Sequence, residues 1–376
     1  MSRVYLDNAA TTKIRPEALA AMNAAYNEYA NPSSVHHEGQ SARKALENAR
    51  ESVASVLHCD PSEVYFTSGG TEADNWAVSF SGDVGEGKRH IITSSIEHPA
   101  VLSACKRKES EGFRVTYLPV DRYGSVSADD LERAISDDTA LVSVMMVNNE
   151  IGTIEPIIKL SEIAHAYGAI FHTDAVQAVG SLPVDFSDLH VDLLSFSSHK
   201  FYGPYGAGGL LVRKGLKIPS FLVGGSQEYG HRAGTENLPG IIGMAEALRL
   251  DASEMDEHIG QLLSLKNLLI GLLRESCPQV VFHGDADISH PGILNLYVPG
   301  MNGEKMLLLL DYEGFAISGG AACSSKDHVV SHVLSAIGSS KEEAGNSLRI
   351  SIGKYNDESD IRAFVSAFST LLKKNS

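Results

Sequence analysis

The sequence has no Cys-x-x-Cys pair. Its four cysteines, Cys59, Cys105, Cys277 and Cys323, stand far apart with no regular framework. This argues against a disulfide scaffold and leaves reduced thiols in a cytoplasm as the expectation. No apolar run reaches the ~18 residues a membrane span needs. The opening MSRVYLDNAATT lacks both the apolar core of a secretion signal and the arginine-rich pattern of a transit peptide. Positive charge is in deficit, with 31 Lys and Arg against 47 Asp and Glu and a net charge of −16. That argues against direct binding to nucleic acid or to an anionic membrane. There is no internal repeat and no low-complexity linker.

What remains is the composition of a soluble enzyme, 43% hydrophobic and 21% charged with 34 glycines. At roughly 150 residues per domain, a chain of 376 residues suggests about two domains. From about residue 40, short β-rich runs alternate with helical patterns: EVYFTS, RHIITSS, RVTYLPV, ALVSVMMVNN, AIFHTDA and VDLLSFSSH, each separated by a helix-length stretch. Strands with no in/out alternation, spaced in this way, predict a mainly parallel sheet covered by helices on both faces. After Gly240, IIGMAEALRLDASEMDEHIGQLLSLKNLLIGLLRES reads as one or two long helices leading out of the first unit. VVFHG, ILNLYVP, EKMLLLLDYEG, NSLRISI and the C-terminal helix then form a smaller α+β unit. Residues 14–255 are expected as the large domain, and 1–13 with 256–376 as the small one.

Ligands of parallel sheets bind beyond the carboxyl ends of the strands, which nominates the residues trailing each run. TSGGTEADN places Gly70 and Thr71 at a strand-to-helix turn, an anion site or a plain N-cap. It is neither G-x-G-x-x-G nor a P-loop, so one phosphate is expected rather than a nucleotide chain. FSSHK ends a strand with Ser197, His199 and Lys200, and an amine desolvated there is suited to Schiff-base chemistry. Asp174 in FHTDAVQ could pair with a protonated pyridine nitrogen, or could simply cap a helix. Together on one sheet edge, phosphate turn, lysine and carboxylate suggest pyridoxal 5′-phosphate. Arg349 in NSLRISIGK offers a planar fork to a carboxylate, with a structural ion pair as the equal alternative. The serine hydrolase reading of Ser197 and His199 lacks the G-x-S-x-G elbow. His36 and His37 lack a spaced Cys/His set, so no metal site is expected.

Several motifs taken together resemble one family: YLDNAATT, NPSSVHHEG, TSGGTEADNWA, IEHPAV, VNNEIGTIEPI, FHTDAVQA, SFSSHKFYGPYGAGGL, HRAGTEN and the region around Cys323. In order from Tyr5 to about Tyr355, they look like the NifS/IscS-like cysteine desulfurases of the class V aminotransferases. The resemblance implies the type I fold of pyridoxal-phosphate-dependent transferases, in the α/β class, and a homodimer with shared sites. By motif, Lys200 would carry the cofactor and move a proton, Asp174 would pair with its ring nitrogen, Gln177 with its phenolic oxygen, and His98 would stack on the ring. Gly70, Thr71, Ser197 and His199 would hold the phosphate, joined by Thr235 of the partner subunit. Asn149 and Arg349 would grip the substrate carboxylate. Cys323, in the small-residue run FAISGGAACSSKDH, would accept the sulfur of L-cysteine as a persulfide, leaving L-alanine.

The same resemblance implies a protein sulfur acceptor, such as an iron–sulfur scaffold or a tRNA-thiolation enzyme. Around Cys323 the run SGGAACSSKDHVVSH departs from the serine-rich pattern common in the family, and IGKYN follows Arg349 where a second arginine is commoner. The alternatives are a selenocysteine lyase, a cysteine-sulfinate desulfinase, another class V aminotransferase, or a cofactor-free sulfur carrier.

Overall fold

The computed structural model describes residues 3–27, 29–82, 87–319 and 330–375. The chain opens with a two-residue strand, β1 (Val4–Tyr5), followed by helices α1 (Pro16–Asn27) and α2 (His37–Leu57). Strands and helices then alternate: β2 (Val64–Thr67), α3 (Gly70–Ser79), β3 (His90–Ser94), α4 (Pro99–Ser110), β4 (Arg114–Leu118) and α5 (Ala128–Ala134). Next come β5 (Thr139–Ser143), α6 (Ile157–Ala166), β6 (Ile170–Asp174), β7 (Leu193–Ser197) and β8 (Gly208–Val212). These seven strands, β2 to β8, form one sheet in the order β2-β8-β7-β6-β5-β3-β4.

The missing in/out alternation has a direct cause. Neighbouring strand residues point to opposite faces, yet both faces are covered. Leu194 packs into the cluster that holds Val53, Phe171 and Met244, while Leu193 beside it joins Trp76, Phe80 and Leu210 on the other face. All of these are buried. Burying each such side chain contributes about 1.5–3 kcal/mol.

Strands β3 to β7 are parallel, as expected, but β8 runs antiparallel to both β2 and β7. The run GAGGLLV looks like a flexible loop because glycines disfavour strands. Here they serve close approach. A Cβ on Gly208 would lie 2.7 Å from the Gly69 backbone, and one on Gly209 would lie 2.3 Å from the Phe196 ring.

The long apolar stretch after Gly240 is two helices, α7 (Leu238–Ser253) and α8 (Met255–Ser276), parted at Glu254. The second unit continues through β9 (Val281–His283), β10 (Ile293–Tyr297), α9 (Gly303–Tyr312), β11 (Phe315–Ala316) and β12 (Ser318–Gly319). It closes with α10 (His332–Ala336), α11 (Lys341–Asn346), β13 (Leu348–Ser351) and α12 (Glu358–Asn375). An antiparallel sheet, β12-β13-β10-β9, packs its apolar residues with Leu262, Leu269 and Leu273 of α8 and with Phe364 and Phe368 of α12. The first strand joins this unit, since β1 pairs in parallel with β11. Among the described residues, no helix is long and apolar enough to cross a membrane.

Candidate active site

The carboxyl ends of β2, β6 and β7 open into one cavity of about 290 Å³. Its wall includes Gly70 and Thr71 after β2, Asp174 and Gln177 after β6, and Ser197, His199 and Lys200 after β7. His98 precedes α4, Asn149 follows β5, and Arg349 reaches in from β13. Thus ten of the residues nominated from sequence meet in one place, from two sheets.

Several are held by local contacts. Lys200 Nζ donates to the carbonyl oxygens of Ala9 and Ala10, the latter at 3.0 Å. Asp174 is 4% exposed and one of its oxygens accepts the Val176 N–H at 2.9 Å. Burial pushes its carboxyl up, while the nearby His98 and Lys200 favour the ionised form. The His98 ring caps α4, its Nδ1 accepting the Ala100 N–H at 3.2 Å, so the ring proton of the neutral form is on Nε2. Burial lowers its pKa and favours that neutral, stackable ring. His199 is held below its usual range, at about 4, by burial and by Lys200, and its Nδ1 meets Thr11 Oγ1 at 3.2 Å.

The turn between β2 and α3 is built for close approach. Gly69 sits at φ +152°, a conformation that favours glycine, and a Cβ on Gly70 would lie 2.6 Å from the Val176 side chain. The N-terminal end of α3, with Thr71 and the buried Ser197 on the same wall, forms a cradle for one anion. Arg349, 3% exposed, donates from Nη2 to Asp7 Oδ1 at 2.8 Å and from Nη1 to the Asn149 carbonyl at 3.0 Å. Its Nε is buried without a partner.

Thr235 stands apart from this cavity. It lines a separate depression with Phe66, Glu228, Arg232 and Asn237. Cys323 lies outside the described residues. Among the other cysteines, burial pushes the Cys59 and Cys105 thiols up to about 12, and it also raises Cys277. All three are therefore poor sources of thiolate. His36 caps α2 by accepting the Gly39 N–H.

Sequence reasoning gave no role to the segment at residues 7–12. Asp7 pairs with Arg349, Ala9 and Ala10 receive Lys200, and Gln177 Nε2 donates to Ala9 O at 2.7 Å. Thr11 meets His199, and Thr12 N and Oγ1 both donate to the His199 carbonyl. Much of this segment acts through main-chain carbonyls, which side-chain chemistry cannot reveal. YLDNAATT entered the sequence reading only as one of the family motifs.

The aminotransferase class-V family model matches residues 4–364. The chain belongs to that family. Cysteine desulfurase IscS of Dictyoglomus turgidum is 47% identical over 99% of this chain and 95% of its own length. Its counterpart in Methanosarcina thermophila is 46% identical, over 99% and 92%. Among solved structures, a NifS-like protein superposes with a TM-score of 0.93 at 38% identity, covering 99% of this chain and 100% of its own. A structure titled SspA in complex with cysteine gives 0.82 at 35% identity, over 94% and 100%. Family membership brings pyridoxal 5′-phosphate as cofactor, and the cavity fits it: an amine, a buried carboxylate, a flat neutral imidazole and an anion cradle face one 290 Å³ space.

Proposed function

We infer that the chain is a pyridoxal-phosphate-dependent cysteine desulfurase. The observation that carries the reading is the convergence of Lys200, Asp174 and Arg349 on one cavity, within a fold shared along its length with desulfurases. Lys200 would hold the cofactor, Asp174 its ring nitrogen, Gln177 its phenolic oxygen and His98 its face. Gly70, Thr71, Ser197 and His199, with Thr235 of a partner subunit, would hold its phosphate. When bound, the cofactor supplies a sink for the electrons left at the substrate Cα.

The chain's own residues do the rest. Arg349 and Asn149 receive the substrate carboxylate and fix the orientation of Cα. Lys200, close above the sheet edge, takes the Cα proton on Nζ and can return it elsewhere. The thiolate of Cys323 then attacks the substrate sulfur: the S–S bond forms, the C–S bond breaks, and the three-carbon remainder leaves as L-alanine. The persulfide on Cys323 passes to a protein acceptor, in the cytoplasm.

Residues 14–255 are taken as the cofactor domain, and 1–13 with 256–376 as the domain carrying Arg349. A homodimer is supported by apolar side chains that stand uncovered: Tyr29 is 90% exposed, Val35 89% and Val223 93%. The test is sulfide and alanine release from L-cysteine by the holoenzyme. Cys323→Ala should keep the visible absorbance of the bound cofactor and lose sulfide release. Sulfide release by that variant at the wild-type rate would overturn the persulfide step.

A further inference from the structure

The function proposed above leaves two carboxylates on the cavity wall without a role, Asp7 and Asp74, and Asp7 is the one paired with Arg349. Asp7 lines the cavity beside Arg349, Asn149 and Lys200, and its side chain is 18% exposed. It holds Nη2 of Arg349 at 2.8 Å while the Asn149 carbonyl holds Nη1; Nη1 and Nη2 each keep a second N–H, and the buried Nε has no partner. The position is anchored twice. The Asp7 backbone bridges Ser351, two residues after Arg349, and its carbonyl accepts the Tyr5 hydroxyl at 3.1 Å.

We propose that Asp7 is a specificity-determining residue: it neutralises Arg349 in advance, so that the site accepts an amino acid with one carboxylate and a neutral side chain and turns away one whose side chain is also anionic. The charge count gives the reason. Arg349 and Asp7 together carry no net charge, and the α-carboxylate brings the pocket end to −1. A sulfinate or second carboxylate would raise that to −2 in a half-buried space, where unit charges a few ångströms apart are weakly screened. The thiol of cysteine is mostly neutral at pH 7. The inference rests on the desulfurase reading, since it concerns the same carboxylate site.

The test uses the full-length holoenzyme with L-cysteine and L-cysteine sulfinate as substrates, and with butyrate and succinate as unreactive ligands of similar size. Asp7→Asn should raise kcat/KM for the sulfinate relative to L-cysteine by about tenfold, and should tighten succinate relative to butyrate by a similar factor. Ratios are read because loss of Asp7 also changes how Arg349 meets every carboxylate. Asp7→Glu, which keeps the charge, should leave both ratios within about twofold of wild type. Asp7→Ser serves in place of the Asn variant if that variant does not fold. Unchanged ratios in the neutral variants, or an equal change in Asp7→Glu, would overturn the proposal. A wild-type protein inert toward L-cysteine would instead strike at the desulfurase reading itself, and the two carboxylate ligands would still test Asp7.

Discussion

Arg50 and Glu228 form a two-pronged ion pair, Nη1 to Oε2 and Nη2 to Oε1, both at 2.9 Å, with each side chain 2% exposed. Glu228 also accepts the Phe66 N–H at 2.9 Å, and Arg50 donates to the Val64 carbonyl. The pair thereby ties α2 and β2 to the segment leading to Thr235. Glu228 and Tyr229 adopt φ of 45° and 57° there, an unfavourable backbone that surrounding contacts must hold.

Removing one partner strands a buried charge, which costs about 3–5 kcal/mol. Glu228→Ala should therefore lower the denaturation midpoint strongly, while Arg50→Met with Glu228→Leu together should lose much less. Chemical denaturation of the three proteins checks this. Equal losses in the single and double variants would mean that the pair is not coupled.

Lys200→Ala should abolish both the visible band of the holoenzyme and its turnover of L-cysteine, the latter by at least about a thousandfold. The Ala10 carbonyl would lose the Lys200 donor while Ala9 O keeps the Gln177 amide, and both lie beside an open cavity and can bind water, so the fold should persist. Absorbance, sulfide release and far-ultraviolet circular dichroism together read the outcome. A coloured, active variant would remove Lys200 from its role.

Thr71→Ala should weaken cofactor binding without touching the lysine. A hydrogen bond to a charged group contributes about 1.5–3 kcal/mol, so the dissociation constant should rise by a factor of ten or more. Titration of the apoprotein with pyridoxal 5′-phosphate gives this directly. An unaltered constant would place the phosphate elsewhere.

Glu97, next to His98, is fully buried. Its Oε1 accepts from Ser94 Oγ and from the Met145 N–H, while Oε2 has no partner. Burial pushes its carboxyl up to about 8, above the 4.5 of an exposed glutamate. A raised pKa means that the folded state holds the proton more tightly than the unfolded chain. The contribution is fully present below pH ~4.5 and is lost as pH rises toward 8. Glu97→Gln should remove up to about 1.4 kcal/mol per pH unit of that decline. Unfolding midpoints at pH 5 and pH 8.5 test it: Gln should gain on Glu at the higher pH. A constant difference would mean that Glu97 is ionised throughout.

The parallel strands were legible because their apolar runs lack alternation, and the cavity because the residues trailing several runs form one chemical set: Asp174 after FHT, Lys200 after SSH. Strand β8 was hidden, because its glycines answer to the Gly69 backbone and the Phe196 ring, contacts that only the folded chain brings together. The roles of Ala9 and Ala10 were hidden for another reason. A carbonyl oxygen is common to every residue, so nothing in a side-chain alphabet marks the two that receive Lys200. Thr235 was recognisable by motif alone, and in the fold it lines a depression apart from the cavity.

The contact between Asp7 and Arg349 spans 342 positions of sequence. A ribosome adding about 5–20 residues per second needs on the order of tens of seconds to go from one to the other. Until then Arg349 is not there for Asp7 to hold, and the β1–β11 strand pair that places Ala9 and Ala10 over Lys200 forms only late in synthesis. The newborn large sheet can form early, but a growing chain cannot carry a finished site. Any cofactor it meets during synthesis encounters a wall that still lacks Ser318 and Arg349.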